Sequence, residues 1–215
     1  MGRRFWRWMG CLVLLMLLLS VAGCGSDGDS GPLFEDDFEN SDSGWGADQQ
    51  EAFDRGYEGG EYFVDLHVPN WFIWARPGVK LDDVSVEVDV HLIAGSPAGQ
   101  AGVLCRHVDG DNFYYFAISA DGYYAIFRRV DGGDLEILSG DGSGMLPSPV
   151  INTGEQANHL RAVCEGDALS LYANGELLEM VTDDAHARGD VGVGAGSGPE
   201  GSVRFQFDDF TITRP

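Results

Sequence analysis

The chain has 215 residues, with 13 Lys and Arg against 35 Asp and Glu, which gives a formal net charge of −22 at pH 7. Such a charge repels phosphate backbones and anionic lipid headgroups, so we expect no nucleic-acid partner. The first 23 residues contain three arginines and no acidic residue. Their removal would leave 10 basic against 35 acidic residues, or −25, and many carboxylates for a hard cation such as calcium.

The N-terminus has the pattern of a secretory signal peptide. Three arginines precede an apolar run from Cys11 to Leu19, and small residues then lead to Cys24. The segment Val21-Ala22-Gly23-Cys24 resembles a bacterial lipobox, which predicts a lipoprotein signal peptide over residues 1–23 and lipidation of Cys24. The acyl chains would anchor an exported, extracytoplasmic protein to the cell membrane or outer membrane without embedding it. An uncleaved helical anchor is the alternative, but it would leave Cys24 unexplained.

The predicted mature part begins with a tether and continues as one domain. Residues 25–31 are all Gly, Ser or Asp, so we expect residues 24–32 to be a flexible tether. Residues 33–215 show no second linker and no break in composition, and their length suits one β-sandwich domain.

Two cysteines remain in that domain, Cys105 and Cys164. Export supplies an oxidising compartment, so we expect a disulfide between them. Two buried free thiols are the alternative.

Apolar residues recur at every second position along much of the domain. Val84, Val86, Val88 and Val90 alternate with polar residues, which predicts a strand with one buried face. Asp121-Gly122, between two aromatic runs, is a typical hairpin signal. Ten or more such strands, 31 glycines and no helical periodicity predict an all-β fold, a two-sheet antiparallel β-sandwich or jelly roll.

Three segments also carry a family resemblance. They are Cys105–Phe116, the hairpin Leu171–Gly175 and Gly189–Val193. They resemble the concanavalin A-like lectin/glucanase superfamily, nearest to its laminin-G-like and 3-keto-disaccharide-hydrolase-like branches, and the similarity covers most of residues 34–213. The resemblance implies a concanavalin A-like jelly roll whose terminal strands lie side by side, with functions that vary across the superfamily.

The two ends of the domain repeat one motif, as Asp36-Asp37-Phe38 and Asp208-Asp209-Phe210. If the terminal strands pair, as the resemblance implies, the four carboxylates would converge. Calcium prefers hard oxygen ligands, so Asp36, Asp37, Asp208 and Asp209 are candidate ligands for a structural calcium ion. Ordinary solvated acidic turns are the alternative.

Exposed aromatic rings give flat apolar surfaces for sugars, and nearby polar groups bind the hydroxyls. If Asp121-Gly122 is a two-residue turn, Ala120 opposes Tyr123, although a slip of one residue would exchange the two faces. With that register the outer face carries Tyr115, Tyr124 and Arg128, and the core face carries Tyr114, Phe116, Ile118, Ala125 and Phe127.

The stretch Asn70–Ala75 is unusually aromatic. Trp71 and Trp74 lie close together in it, and we expect one to be exposed and the other to fill the core. The candidate ligand-binding residues are therefore Trp71, Trp74, Arg106, Tyr115, Tyr124 and Arg128.

An enzymatic function is the weaker hypothesis. Glu87-Val88-Asp89 resembles the start of the Glu-x-Asp-x-x-Glu signature of the glucanase branch, where the two glutamates act as nucleophile and acid. Retaining hydrolysis needs two carboxyl groups about 5 Å apart. Leu92 stands in place of the second glutamate, so Glu87 and Asp89 remain weak catalytic candidates on what is more simply a solvated strand face.

The sequence thus predicts a membrane-tethered, extracytoplasmic module that binds carbohydrate through a sheet face. We expect a monomer that contacts the membrane only through its lipid. A glycoside hydrolase-like enzyme of the same fold, or a structural or adhesive lipoprotein that binds another protein, are the alternatives.

Overall fold

The computed structural model describes residues 31–215. The predicted signal peptide, Cys24 and most of the predicted tether lie outside these residues. The described chain forms 17 strands and no helix. It therefore has no helix long and apolar enough to cross a membrane.

The strands in chain order are β1 (Phe34–Asp36), β2 (Asp48–Gln49), β3 (Phe53–Glu58), β4 (Glu61–Leu66), β5 (Phe72–Ala75), β6 (Lys80–Leu81), β7 (Val84–Gly95), β8 (Gln100–Asp109), β9 (Asn112–Ser119), β10 (Tyr123–Arg129), β11 (Glu136–Ile137), β12 (Leu146–Pro147), β13 (Asn158–Glu165), β14 (Ala168–Ala173), β15 (Glu176–Thr182), β16 (Gly189–Gly196) and β17 (Val203–Thr213).

These strands form two antiparallel sheets, which confirms the predicted sandwich. The nine-stranded sheet has the order β15-β14-β13-β7-β17-β4-β3-β2, and β1 also pairs with β17. The eight-stranded sheet has the order β11-β10-β9-β8-β16-β5, with β12 beside β10 and β6 beside β16. Asp36 stands opposite Phe210, so the terminal strands do lie side by side as expected.

The main core lies between the sheets. Along β7 the alternating residues Val84, Val86 and Val88 are fully buried there. The predicted disulfide is confirmed: Cys105 of β8 is bonded to Cys164 of β13, so one covalent link joins the two sheets. Glu87 and Asp89 lie between the buried valines and therefore face away from the core.

The predicted register of the β9–β10 hairpin is wrong by one residue. Ile118 stands opposite Tyr124, where the predicted two-residue turn would place Ser119. The Gly122 N–H donates to the Ser119 carbonyl at 3.0 Å, and Gly122 has a φ of 95°. The connection is therefore a three-residue loop ending in a left-handed glycine, whereas the predicted two-residue turn needs a different backbone.

This slip exchanges the faces of β10. Tyr124 and Ile126 join the main core, and Ala125 and Phe127 lie on the outer face of the eight-stranded sheet. Tyr115 and Tyr124 therefore point to opposite sides, and the predicted exposed group of Tyr115, Tyr124 and Arg128 does not form.

Candidate functional site

The outer face of the eight-stranded sheet is covered and offers no aromatic platform. Tyr115 is fully buried there, and its hydroxyl donates to the Gly194 carbonyl at 3.2 Å. The face forms a second apolar cluster of Leu104, Phe113, Tyr115, Ala117, Ala125 and Phe127, packed against Phe72, Trp74, Ile137 and Met145.

Two arginines that were predicted to bind ligand are instead bonded to other residues of this protein. Arg106 is only 1% exposed. Its guanidinium donates to the carbonyls of Asp82, Gly166 and His186 at 2.8 to 3.0 Å, and it pairs with Asp83. Arg106 therefore ties loops together instead of facing a ligand as predicted.

Arg128 is more exposed but is also paired, with Glu136 on one side and Asp183 on the other. Both partners are carboxylates, so the guanidinium charge is already balanced where it meets solvent.

Three of the four aspartates, Asp36, Asp37 and Asp209, line one cavity, but they do not form a cluster that could hold a metal ion. Asp36 accepts hydrogen bonds from the Trp45 indole N–H at 2.8 Å and from the Phe38 backbone N–H at 2.9 Å. Both of its carboxylate oxygens are therefore bonded within the protein. Asp208 lies instead on the outer face of the nine-stranded sheet, opposite Asp89. No group of three or more His, Cys, Asp or Glu within residues 31–215 could hold a metal ion. Calcium binding stays a prediction that this geometry does not support.

The outer face of the nine-stranded sheet is open and polar. Glu87 and Asp89 point outward from β7, and His159 of β13 stands opposite Asp89. The imidazole Nδ1 is 2.6 Å from Asp89 Oδ1, and Nε2 is 3.2 Å from Glu87 Oε2. The three side chains are between 35% and 46% exposed. Each imidazole nitrogen of His159 therefore lies within hydrogen-bonding distance of a different carboxylate, so the three side chains form one cluster on the surface.

We call Glu87, Asp89 and His159 the acid–histidine cluster. Beside it, the side chain of Arg161 stacks on the ring of Tyr172. The guanidinium carbon of Arg161 is 3.8 Å from the ring centroid of Tyr172, and Arg161 stands between Tyr172 and Glu87 across neighbouring strands. Arg161 forms no side-chain hydrogen bond or ion pair with any residue of the described chain. The ring thus fixes the plane of the guanidinium while its N–H donors stay available.

A second stacked pair lies towards the other side of the same face. Arg204 packs over Phe63 with 4.5 Å from guanidinium carbon to ring centroid, and it also pairs with Glu58 and Asp65. From β14 to β4 the face spans four strand spacings, about 19 Å. We call this surface, from Tyr172 to Phe63 with the acid–histidine cluster between them, the polar sheet face.

The predicted tryptophans lie elsewhere. Trp71 is 44% exposed, as expected for one of the pair. Trp74 does not fill the main core as predicted for the other; it packs on the second apolar cluster, with its ring 5.1 Å from that of His107. Both tryptophans line a groove of about 300 Å³ at the side of the sandwich.

Sequence reasoning missed His159, Arg161 and Tyr172. The alternation along β13 and β14 places all three on the polar side of their strands, and that signal is present in the sequence. Their position beside Glu87 depends on the pairing of β13 with β7, about 70 residues away, which no local pattern specifies.

Comparison with known proteins adds evidence on the fold. No protein-family model matches the chain, and no curated protein sequence matches it. The carbohydrate-binding module CBM66 from Bacillus subtilis has a similar structure, with a TM-score of 0.55 and 17% identity over 80% of this chain and 92% of that chain.

Two further structures are similar over most of their length. A protein of unknown function with a galectin-like fold, also from Bacillus subtilis, has a TM-score of 0.61 and 11% identity over 85% of this chain and 96% of that one. The catalytic domain of an endo-1,3-beta-glucanase (laminarinase) from Thermotoga petrophila has a TM-score of 0.55 and 11% identity over 86% and 97%. The chain is therefore a jelly-roll β-sandwich of the galectin-like and concanavalin A-like kind, and at these identities the likeness concerns the fold alone.

Proposed function

We propose that this protein is a membrane-tethered, extracytoplasmic module that binds neutral carbohydrate through its polar sheet face. The observation that carries the proposal is the guanidinium of Arg161, held flat against Tyr172 with no partner in the described chain, beside the carboxylate of Glu87. Fixed donors next to fixed acceptors suit the vicinal hydroxyls of a sugar ring, because both partners are ordered before binding.

The charge of the face favours an uncharged ligand. Burial, and then the nearby carboxylates of Asp209, Glu61 and Asp89, raise the pKa of Asp208 at the centre of the sheet. A site where carboxylates already repel one another would also repel an anionic polysaccharide. Carboxylates are, however, strong acceptors for neutral hydroxyl groups.

Similarity of fold supports the proposal. One structure with this fold is named as a carbohydrate-binding module and another as a laminarinase catalytic domain. Hydrolysis on this face would need two carboxyl groups flanking a glycosidic bond. Here Glu87 and Asp89 are joined through His159, and Leu92, at the position of the missing glutamate, is buried in the core. We therefore propose binding and not cleavage.

Affinity electrophoresis of the full-length protein against a panel of neutral polysaccharides tests the binding. Arg161→Met keeps apolar contact with Tyr172 but removes every donor, and it should weaken binding about tenfold, as for the loss of one central contact. Tyr123→Ala is the matched control, since this tyrosine is 39% exposed but lies at a hairpin end of the other sheet. A panel without binding, or equal binding by Arg161→Met and wild type, would refute the proposal.

Tethering is tested separately. Cys24→Ser removes the predicted lipidation site, so the protein should leave the membrane fraction. A variant that stays with the membrane would show that lipidation of Cys24 is not the anchor.

A further inference from the structure

The groove that contains the tryptophans lies where β3 of one sheet approaches β5 of the other. β3 belongs to the nine-stranded sheet, and β5 is an edge strand of the eight-stranded sheet. The groove has a volume of about 300 Å³ and is lined by Phe53, Arg55, Trp71, Phe72, Ile73 and Trp74. Its wall is mostly apolar, whereas the polar sheet face is not.

An exposed edge strand beside an apolar groove usually invites a further strand, but here the edge is blocked. β5 pairs with β16 on one side only. On its other side Arg55 donates to the Trp74 carbonyl, and Asp48 holds Arg55 in place through the guanidinium Nε at 2.8 Å. Because the Trp74 carbonyl already accepts a hydrogen bond from Arg55, another strand cannot pair with β5 at this point. The groove is therefore unsuited to an extended peptide.

Trp71 is fixed in position although its ring is exposed. Its backbone N–H donates to Ser197 Oγ at 3.0 Å, and its carbonyl accepts the Ser197 N–H at 2.9 Å. By contrast Trp45 is 2% exposed and its indole N–H is bonded to Asp36. The indole N–H groups of Trp71 and Trp74 form no hydrogen bond with any residue from 31 to 215. The backbone that carries the Trp71 ring is therefore held in place, and the exposed ring offers a flat surface with a polar donor at its edge.

We propose that this groove is a second carbohydrate-binding site, in which the apolar face of a neutral sugar stacks on Trp71. The ligand is uncharged because the charges of Arg55 and Asp48 balance each other beside it. Asp48 is 39% exposed and can accept a hydroxyl, and the indole N–H groups can donate to one. The site rests on the proposed function for its ligand class but uses none of the same residues.

Two sites on one module strengthen attachment to a repeating polymer. β3 lies three strand spacings, about 14 Å, from β7, but Phe53 and Arg55 point to the core side of the sheet, so a polymer would pass around the sheet edge to reach both sites. A polysaccharide that engages both surfaces turns the second binding step into an intramolecular one, which raises overall affinity without new contacts.

Fluorine NMR of the full-length protein labelled with 5-fluorotryptophan tests the groove directly, with Trp71→Phe to assign the resonance. Neutral oligosaccharides should shift the Trp71 resonance in a saturable way, and the shift should persist in Arg161→Met, which impairs only the polar sheet face. Trp71→Ala should weaken polysaccharide retention about tenfold, with Tyr123→Ala as the control.

The outcomes separate the two proposals. A Trp71 resonance that no sugar moves, while Arg161→Met still weakens retention, overturns the groove site and leaves the proposed function standing. A shift that survives in Arg161→Met when that variant binds as well as wild type keeps the groove and overturns the polar sheet face. A shift caused by an extended peptide and by no sugar also overturns this inference.

Discussion

The outer faces of the two sheets differ sharply although both are built from alternating strands. The face of the eight-stranded sheet is apolar and covered, and Tyr115 there is fully buried. The face of the nine-stranded sheet is polar and open, and Tyr172 there lies half-buried beneath a guanidinium. A tyrosine at an outward position of a strand thus serves either as core or as surface, depending on what packs over the sheet.

The covering material explains the difference. Met145, from the connection between β11 and β12, packs on the outer face of the eight-stranded sheet, and its edge strands β11 and β5 add Ile137, Phe72 and Trp74 to the cluster. The nine-stranded sheet has ionisable groups at the corresponding outward positions of its central strand β7. Charged groups cannot be covered by apolar segments without a large desolvation cost, so this face stays exposed.

The two tyrosines provide the strongest test of this comparison. Tyr115→Ala removes a fully buried ring and its hydrogen bond to Gly194, so it should lower the free energy of unfolding by about 3–5 kcal/mol. Tyr172→Ala should cost less than about 1.5 kcal/mol, because its ring contacts solvent and one surface arginine. Urea unfolding of both variants measures this, and equal losses would contradict the distinction between the faces.

Removal of the disulfide should affect the whole sandwich and neither face in particular. The Cys105–Cys164 link closes a separation of 59 residues, and Cys105→Ala with Cys164→Ala should lower the free energy of unfolding by about 2–4 kcal/mol. Urea unfolding with and without reductant checks this: reductant should destabilise wild type by the same amount and leave the double variant unchanged. An unchanged wild type would mean that the link does not contribute.

The covered face should also make stability sensitive to acid. His107 lies between the rings of Trp74 and Phe113, and neither of its ring nitrogens has a partner in the described chain. Burial, and then the nearby Arg76, lower the pKa of His107 to about 4. The unfolded chain takes up this proton near its ordinary value of about 6.5, so stability should fall between pH 6.5 and 4, by up to about 3 kcal/mol.

His107→Phe isolates that effect, because phenylalanine keeps the ring stack and removes the titration. Thermal unfolding of both proteins from pH 7 to pH 4 should show a smaller loss for the variant, over the same background of titrating carboxylates. Parallel curves would show that His107 is not the titrating group.

The fold was predictable because it depends on a repeated local signal. Alternation along Val84–Leu92 identified a strand with one buried face, and the two cysteines were expected to pair. The predictions that failed depended on the backbone geometry of single residues. One extra residue in the loop at Gly122 moved Tyr124 to the other face. Arg106 has a φ of 51° at an irregular point in the pairing of β8 with β9, and its side chain is buried.

The polar sheet face was predictable in part. Glu87 and Asp89 were recognisable as one side of a strand, but His159 and Arg161 become their neighbours only through strand pairing over about 70 residues. Alternation indicates which residues share a face, and it does not indicate which strand lies next to which.

The smallest expected effect on stability concerns the centre of the open face. His159→Ala breaks two contacts among groups that are all more than a third exposed, so the free energy of unfolding should change by less than about 1 kcal/mol.

The same change frees Glu87 and Asp89 from their fixed positions, so polysaccharide binding should weaken about threefold. His159→Gln, which keeps one donor, should weaken binding less. Affinity electrophoresis and urea unfolding of the same samples compare the two effects. A large loss of stability with unchanged binding would show that His159 is part of the framework, and that this face resembles the covered one more closely than its exposure implies.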